Sequence, residues 1–217
     1  MFKPAILFST HRLDDFVIER FLVTRRARTH RADLHLVVSD TNPHAFPLPD
    51  DVSGAMVFVT DADMFGSPPG LKEARQVKPG NSDLKLLAAA HRLRPRQYTH
   101  YLWLEYDVYC AGPEQAAFDA LLDLVADHDL VCSYVRPYRP GNQWKWWDSL
   151  DLPHVGGFTP WAGFTPIMGI SSALLQSLEG HVRRGARGHW ETLMPTIARL
   201  EGFSIADLAD EPHTLVT

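Results

Sequence analysis

The stretch Tyr101-Leu-Trp-Leu-Glu105-Tyr106-Asp107-Val-Tyr-Cys110 decides how this chain is read. Its first four residues are aromatic or branched with no polar face, the pattern of a strand buried on both sides. Two carboxylates then follow at a spacing of two. Side chains alternate along a strand, so Glu105 and Asp107 are expected on one side of its carboxyl end. Gly112-Pro113 stops the element. Two acids at the carboxyl edge of a buried strand can hold a divalent cation against an anionic group such as a diphosphate.

Outward from this strand, helix and strand patterns alternate. Residues 4–9 form a short apolar strand, and Asp14 is placed to cap a helix running to about Arg28. Residues 34–38 and 55–60 read as further strands, separated by the turn cluster Ser39-Asp-Thr-Asn-Pro43 and a proline-rich loop. Asn81 or Ser82 opens a helix feeding the acidic strand. Phe118, Leu121, Leu122 and Val125 fall at helical spacing within residues 114–127. A strand over residues 130–135 follows, then a long segment without period to Trp161. A late strand over 164–170, a helix capped by Ser171 and a last helix over 190–200 complete the pattern, with an irregular tail over 207–217. This alternation predicts an α/β fold, with a mostly parallel central sheet and helices on both faces. No repeat or linker divides the chain, and one domain over residues 1–217 is expected.

Composition excludes several classes. Hydrophobic residues at 45% and charged residues at 22% of 217 are ordinary for a globular protein. A net charge of -5 gives no basis for nucleic-acid binding. No apolar run reaches the roughly 20 residues that span a bilayer. The N-terminal residues enter a strand too soon for a signal peptide, so a cytoplasmic location is the default expectation. Arg20, Arg25, Arg26, Arg28, His30 and Arg31 form a local basic group. A solvated helix face accounts for it, and peripheral contact with an acidic membrane surface is the alternative. Cys110 and Cys132 match neither a zinc site nor a disulfide framework and read as buried thiols.

Open α/β sheets bind ligands at the carboxyl ends of their strands. After the first strand stands Ser9-Thr-His-Arg-Leu-Asp14, with no glycine-rich dinucleotide fingerprint, P-loop or nucleophile elbow. A nucleotide would need another hold, and a cation bridged by carboxylates meets that need.

The acid-x-acid triplet in this setting resembles the motif of GT-A glycosyltransferases. The resemblance extends from the first strand to His213 and rests on the order of short motifs. It implies transfer of a sugar from a nucleotide-sugar donor to a carbohydrate or other hydroxyl acceptor, with Mn²⁺ or Mg²⁺ as cofactor. Asp107 would be the direct metal ligand, Glu105 would hold the metal through water or contact the donor, and His213 would complete the shell. The chain has Glu where the commonest pattern has Asp as first acid, which leaves the metal-binding mode open. The resemblance also offers Glu191 as the base that deprotonates the acceptor, although an acid in a first turn gains helix-dipole stabilisation without any such role. Asp148 is the other candidate base. Lys85, in Lys78-Pro-Gly-Asn81-Ser-Asp83-Leu-Lys85, is placed to offset diphosphate charge. Thr10 and His11 end the first strand and Asp40 the second, where base and ribose would rest. Trp144, Trp146, Trp147 and Trp161 form an aromatic loop suited to stacking on sugar, with core packing as the plain alternative. Two other functions stay open. One is a metal-dependent nucleotidyl or phosphoryl transferase that adds Asp61 or Asp63 to the cation; the other is a non-catalytic carbohydrate-binding domain.

Overall fold

The computed structural model describes residues 2–27, 30–39, 48–66 and 82–210. Seven strands, β1 (Pro4–Thr10), β2 (Asp33–Val38), β3 (Met56–Phe58), β4 (His100–Glu105), β5 (Leu130–Pro137), β6 (Trp161–Ser171) and β7 (Ile205–Asp207), form one sheet. Their order is β3-β2-β1-β4-β6-β5-β7. The helices are α1 (Asp15–Ala27), α2 (Asp50–Ser53), α3 (Asp61–Gly66), α4 (Ser82–Leu93), α5 (Glu114–Asp127), α6 (Ser172–Arg183) and α7 (Trp190–Leu200).

The sheet is mixed rather than mostly parallel. β1 pairs in parallel with β2 and β4, β2 with β3, and β5 with β7. β6 runs antiparallel to both β4 and β5. The physical reason lies in the preceding segment: it leaves β5 at the carboxyl edge and stays there, so the chain can only re-enter the sheet in the reverse sense. Direction leaves no mark on an apolar pattern, which is why the sequence did not disclose it.

Every residue of β1 is buried because helices cover both faces. On one side Val17, Ile18 and Phe21 of α1 pack with Phe118, Leu121, Leu122 and Val125 of α5. On the other, Leu86 and Leu87 of α4 join Leu174 and Leu178 of α6 and Trp190, Leu193 and Ile197 of α7. Asp14 accepts the Val17 amide at 2.8 Å and starts α1; Ser171 accepts the Leu174 amide at 3.1 Å and starts α6. Between the last helix and the expected tail, where the sequence marked no element, lies β7, which ends at the first tail residue. The Asp207 carboxylate there accepts the amides of Tyr134 and Val135 at 2.7 and 2.6 Å, fixing Tyr134 at φ +55° in an irregular stretch of β5. No helix among the described residues is long and apolar enough to cross a membrane.

Gly169 of β6 lets α5 approach the sheet. A Cβ there would stand 2.3 Å from Val125 Cγ2 and 3.2 Å from Val131 Cβ, so Gly169→Ala forces apart two packed layers. Chemical denaturation is expected to show a loss of about 1–3 kcal/mol, the usual cost of overpacking.

The parallel order β3-β2-β1-β4 reverses direction at β1, which creates a switch point between the carboxyl ends of β1 and β4. Crevices at such points are where open α/β sheets hold ligands. Thr10 and Glu105 end those two strands.

Candidate active site

At the switch point the Tyr106 amide donates to Ser9 O at 3.0 Å, so pairing of β1 with β4 continues one residue past the strand. The chain then turns, with the Val108 amide donating to Glu105 O at 3.0 Å. Asp107 therefore lies in the turn and is exposed, whereas Glu105 is half-buried at the strand end. Strand alternation does not relate the two acids, yet they remain close enough to interact. Burial raises the Glu105 pKa above its ordinary value; the Asp107 charge adds to the rise, and Lys85 opposes it. Tyr106 packs edge-on against His11 at 5.5 Å and lies 5.2 Å from the Arg12 guanidinium, so the first loop braces the acidic turn.

Lys85 reaches this edge from α4. It is only 7% exposed, and its Nζ donates to Thr10 O at 2.5 Å. Burial drives its pKa down to about 7 against the support of the Glu105 charge. Thr10 is buried; its hydroxyl donates to Arg12 O and accepts the Arg12 amide, so it closes the local turn. His11 is exposed at the rim. Asp40, Lys78, Asn81 and His213 lie outside the described residues, as does the side chain of Asp83.

Glu191 comes to the same edge from the first turn of α7. Its pKa is raised to about 7, first by burial and then by the nearby Glu105 charge, with a hydrogen bond from Trp146 in opposition. The fold thus gathers a lysine, two coupled glutamates and Asp107 from α4, β4, α7 and the turn after β4. A proton acceptor poised near neutrality beside a cationic group and an open carboxylate suits acid–base work on a substrate carrying phosphate.

Glu105 and Asp107 provide hard oxygen donors of the kind Mg²⁺ or Mn²⁺ takes together with substrate phosphates. Among the described residues no group of three or more His, Cys, Asp or Glu could hold a metal ion. This donor set fits a cation whose shell is completed by substrate oxygens. Asp63 is committed elsewhere, accepting two hydrogen bonds from Arg92 at 2.8 Å and the amide and hydroxyl of Thr60. Asp61 is exposed at the start of α3.

The segment between β5 and β6 lies across the start of α7. Trp146 stacks on His189, with centroids 4.0 Å apart and planes at 2°, and the Lys145 ammonium stands 4.4 Å from the Trp146 ring. The other tryptophans also have protein partners. Trp144 lies 4.7 Å from the Arg136 guanidinium, Trp147 packs edge-on against Tyr138, and Trp161 lies 4.5 Å from that of Arg199. Trp161 also bonds Thr196 through its backbone, which places it on the carboxyl half of α7, away from Glu191. Asp148 is exposed on a 3-10 turn, Trp147–Ser149, and no described hydrogen bond or ion pair engages it.

The sequence reading missed His189 and Lys145. His189 caps α7, its Nδ1 accepting the Glu191 amide at 3.3 Å. Histidine is not among the residues that usually mark a helix start, so the pattern carried no cue. Two members of the basic group near α1 are engaged: Arg20 donates to Val108 O and pairs with Glu114, and Arg31 pairs with Asp123 at 2.7 Å.

No protein-family model matches the chain, and no curated protein does. Among solved structures it is similar to a protein from Desulfovibrio desulfuricans G20, described provisionally as a nucleotide-diphospho-sugar transferase. Identity is 12% over 95% of this chain and 80% of the other, with a TM-score of 0.46. A likeness that shallow has no bearing on function, which must be read from the site.

Proposed function

We propose that the chain is a glycosyltransferase that moves a sugar from a nucleotide-diphosphate donor to a hydroxyl acceptor. The observation that carries this reading is the meeting of Lys85, Glu105 and Glu191 at the switch point between β1 and β4. A phosphate-bearing donor needs positive charge at that edge, and an acceptor hydroxyl needs a base beside it.

In this reading the diphosphate lies over the carboxyl ends of β1 and β4, and Lys85 offsets its charge from below. Asp107, with Glu105, would hold Mn²⁺ or Mg²⁺, which supplies Lewis-acid stabilisation of the departing diphosphate when bound. Glu191 takes the proton of the acceptor hydroxyl as the new glycosidic bond forms. Its position in a partly dry pocket keeps it a stronger base than an exposed carboxylate. The segment carrying Trp144 and Trp147 covers the acceptor side, and His11 lies at the donor rim.

The test is Asp107→Asn, assayed for release of nucleoside diphosphate from a panel of nucleotide sugars with Mn²⁺. Turnover is expected to fall by about 10²-fold or more, as charge-stabilising groups usually require, while circular dichroism stays that of the wild type. Wild-type turnover in the variant would count against the reading. Release of pyrophosphate from a nucleoside triphosphate would instead identify a nucleotidyl transferase. The pairing of Asp63 with Arg92 removes Asp63 from the cation shell of that alternative and leaves Asp61 as its added acid.

A further inference from the structure

The segment joining β5 to β6 is fastened to the residues just before α7 at several points. The Asp151 amide donates to Arg187 O at 2.8 Å, and the Arg187 amide returns to Asp151 O at 2.7 Å. The His189 amide donates to Ser149 Oγ at 2.9 Å, and that hydroxyl donates to Trp146 O at 2.6 Å. Gly188 sits at φ +154°, and a Cβ there would stand 3.1 Å from Leu150 Cδ1 and 3.2 Å from Leu150 Cα. A side chain at this position would hold the two segments apart. Above these bonds the Trp146 indole lies flat on the His189 imidazole.

His189 is the joint between the two segments. One face of its ring carries the indole, and its Nδ1 accepts the Glu191 amide. An acceptor Nδ1 requires a lone pair there, so the ring is neutral with its proton on Nε2. Burial and the Lys145 ammonium favour the same state. An Asp or Asn cap would satisfy the helix equally well. Asp, however, would add another negative charge beside Glu191 and Glu105, and neither residue could stack an indole. Histidine is the side chain that meets all three demands: acceptor, uncharged, aromatic.

We propose that Trp146 and His189 are positioning residues that clamp the β5–β6 segment onto α7 and thereby fix the Glu191 carboxylate against the acceptor. The assignment rests on the glycosyltransferase reading for its chemical consequence and on geometry alone for the clamp. Trp146 thus holds Glu191 both through the stacked His189 and through its own hydrogen bond, with its ring engaged by protein, instead of serving as a bare platform for sugar.

Trp146→Ala, Trp146→Phe and His189→Asn, in the full chain, separate this role from simple packing. Amide hydrogen exchange is read at Asp151, Arg187 and His189, whose bonds cross the joint. Trp146→Ala and His189→Asn are expected to raise exchange there about tenfold or more, while amides within α7 keep their protection. Trp146→Phe keeps a ring for stacking and is expected to stay near wild type. In turnover assays the first two variants should lose about 10²-fold in kcat, the scale of a misplaced catalytic group, with donor KM unchanged. Trp146→Phe, which stacks but lacks the indole N–H that bonds Glu191, should recover the part of that loss owed to stacking and leave the part owed to this bond. Wild-type exchange in both Trp146→Ala and His189→Asn overturns the clamp. Faster exchange with wild-type kcat overturns the positioning role. If the wild-type protein transfers no sugar, the glycosyltransferase reading falls, and the exchange result alone decides the clamp.

Discussion

Glu191→Gln is expected to lose about 10²–10⁴-fold in kcat while leaving donor affinity unchanged, the range assigned to a general base. The same substitution should make the protein more stable in alkali. Glu191 in the folded chain titrates near 7, above its ordinary 4.5. The folded state therefore holds a proton that the unfolded state has lost, and stability falls as pH rises through 4.5 toward 7. Glutamine cannot ionise and escapes that loss. At about pH 8 the variant should exceed wild type by about 1–3 kcal/mol, a figure discounted from the full shift for residual solvent contact. The difference should shrink toward zero as pH falls to about 4. His189 contributes the opposite slope: its folded value of about 4 lies below the ordinary 6.5, so stability is lost as pH falls from 6.5 toward 4 in both proteins. Urea titrations across this range, run beside turnover assays, check both statements.

Lys85→Met is the second large expected effect. The ammonium lies beneath the edge where the diphosphate is placed and keeps its charge only below about pH 7. Removing a charge-assisted contact should weaken donor binding by about 10–100-fold at about pH 6. Wild-type affinity is expected to decline as pH rises through 7, because the lysine gives up its proton, while the variant should show no such decline. Stability should not suffer in proportion. A buried lysine whose folded pKa is depressed loses stability as pH falls from 10.5 toward 7, and methionine removes that loss. The Thr10 carbonyl left without its donor offsets part of the gain. Calorimetric titration of donor at two pH values provides the measurement.

The sequence disclosed those parts of the fold whose physics is local. The apolar run before Glu105 reads as a buried strand because no polar face interrupts it. The helix from Glu114 to Asp127 follows from four apolar residues at helical spacing, and Asp14 and Ser171 act as the caps their chemistry predicts. Elements that depend on distant partners were not legible. β7 has three residues, too few for a periodic signal, and exists because it pairs with β5. The reversed direction of β6 comes from the path of the chain before it. At the site, Glu105 and Glu191 were each singled out, but nothing in the sequence shows that they face one another across 86 positions, 191 minus 105. Asp107 left the strand because the ladder yields to a turn at Glu105, a change alternation cannot foresee. The tryptophans drew notice as sugar platforms, while their partners His189, Arg136, Tyr138 and Arg199 lie outside their own motif.

The central claim is that the edge formed by Thr10, Lys85, Glu105 and Asp107 binds a nucleotide-diphosphate sugar. Isothermal calorimetry with UDP-, GDP-, ADP- and dTDP-sugars, each in Mn²⁺ and again in EDTA, tests it most directly. At least one donor should bind with a Kd of about 1 µM to 1 mM, the range usual for enzyme substrates, and weaken about tenfold or more in EDTA. Absence of binding by every donor under both conditions would contradict the claim.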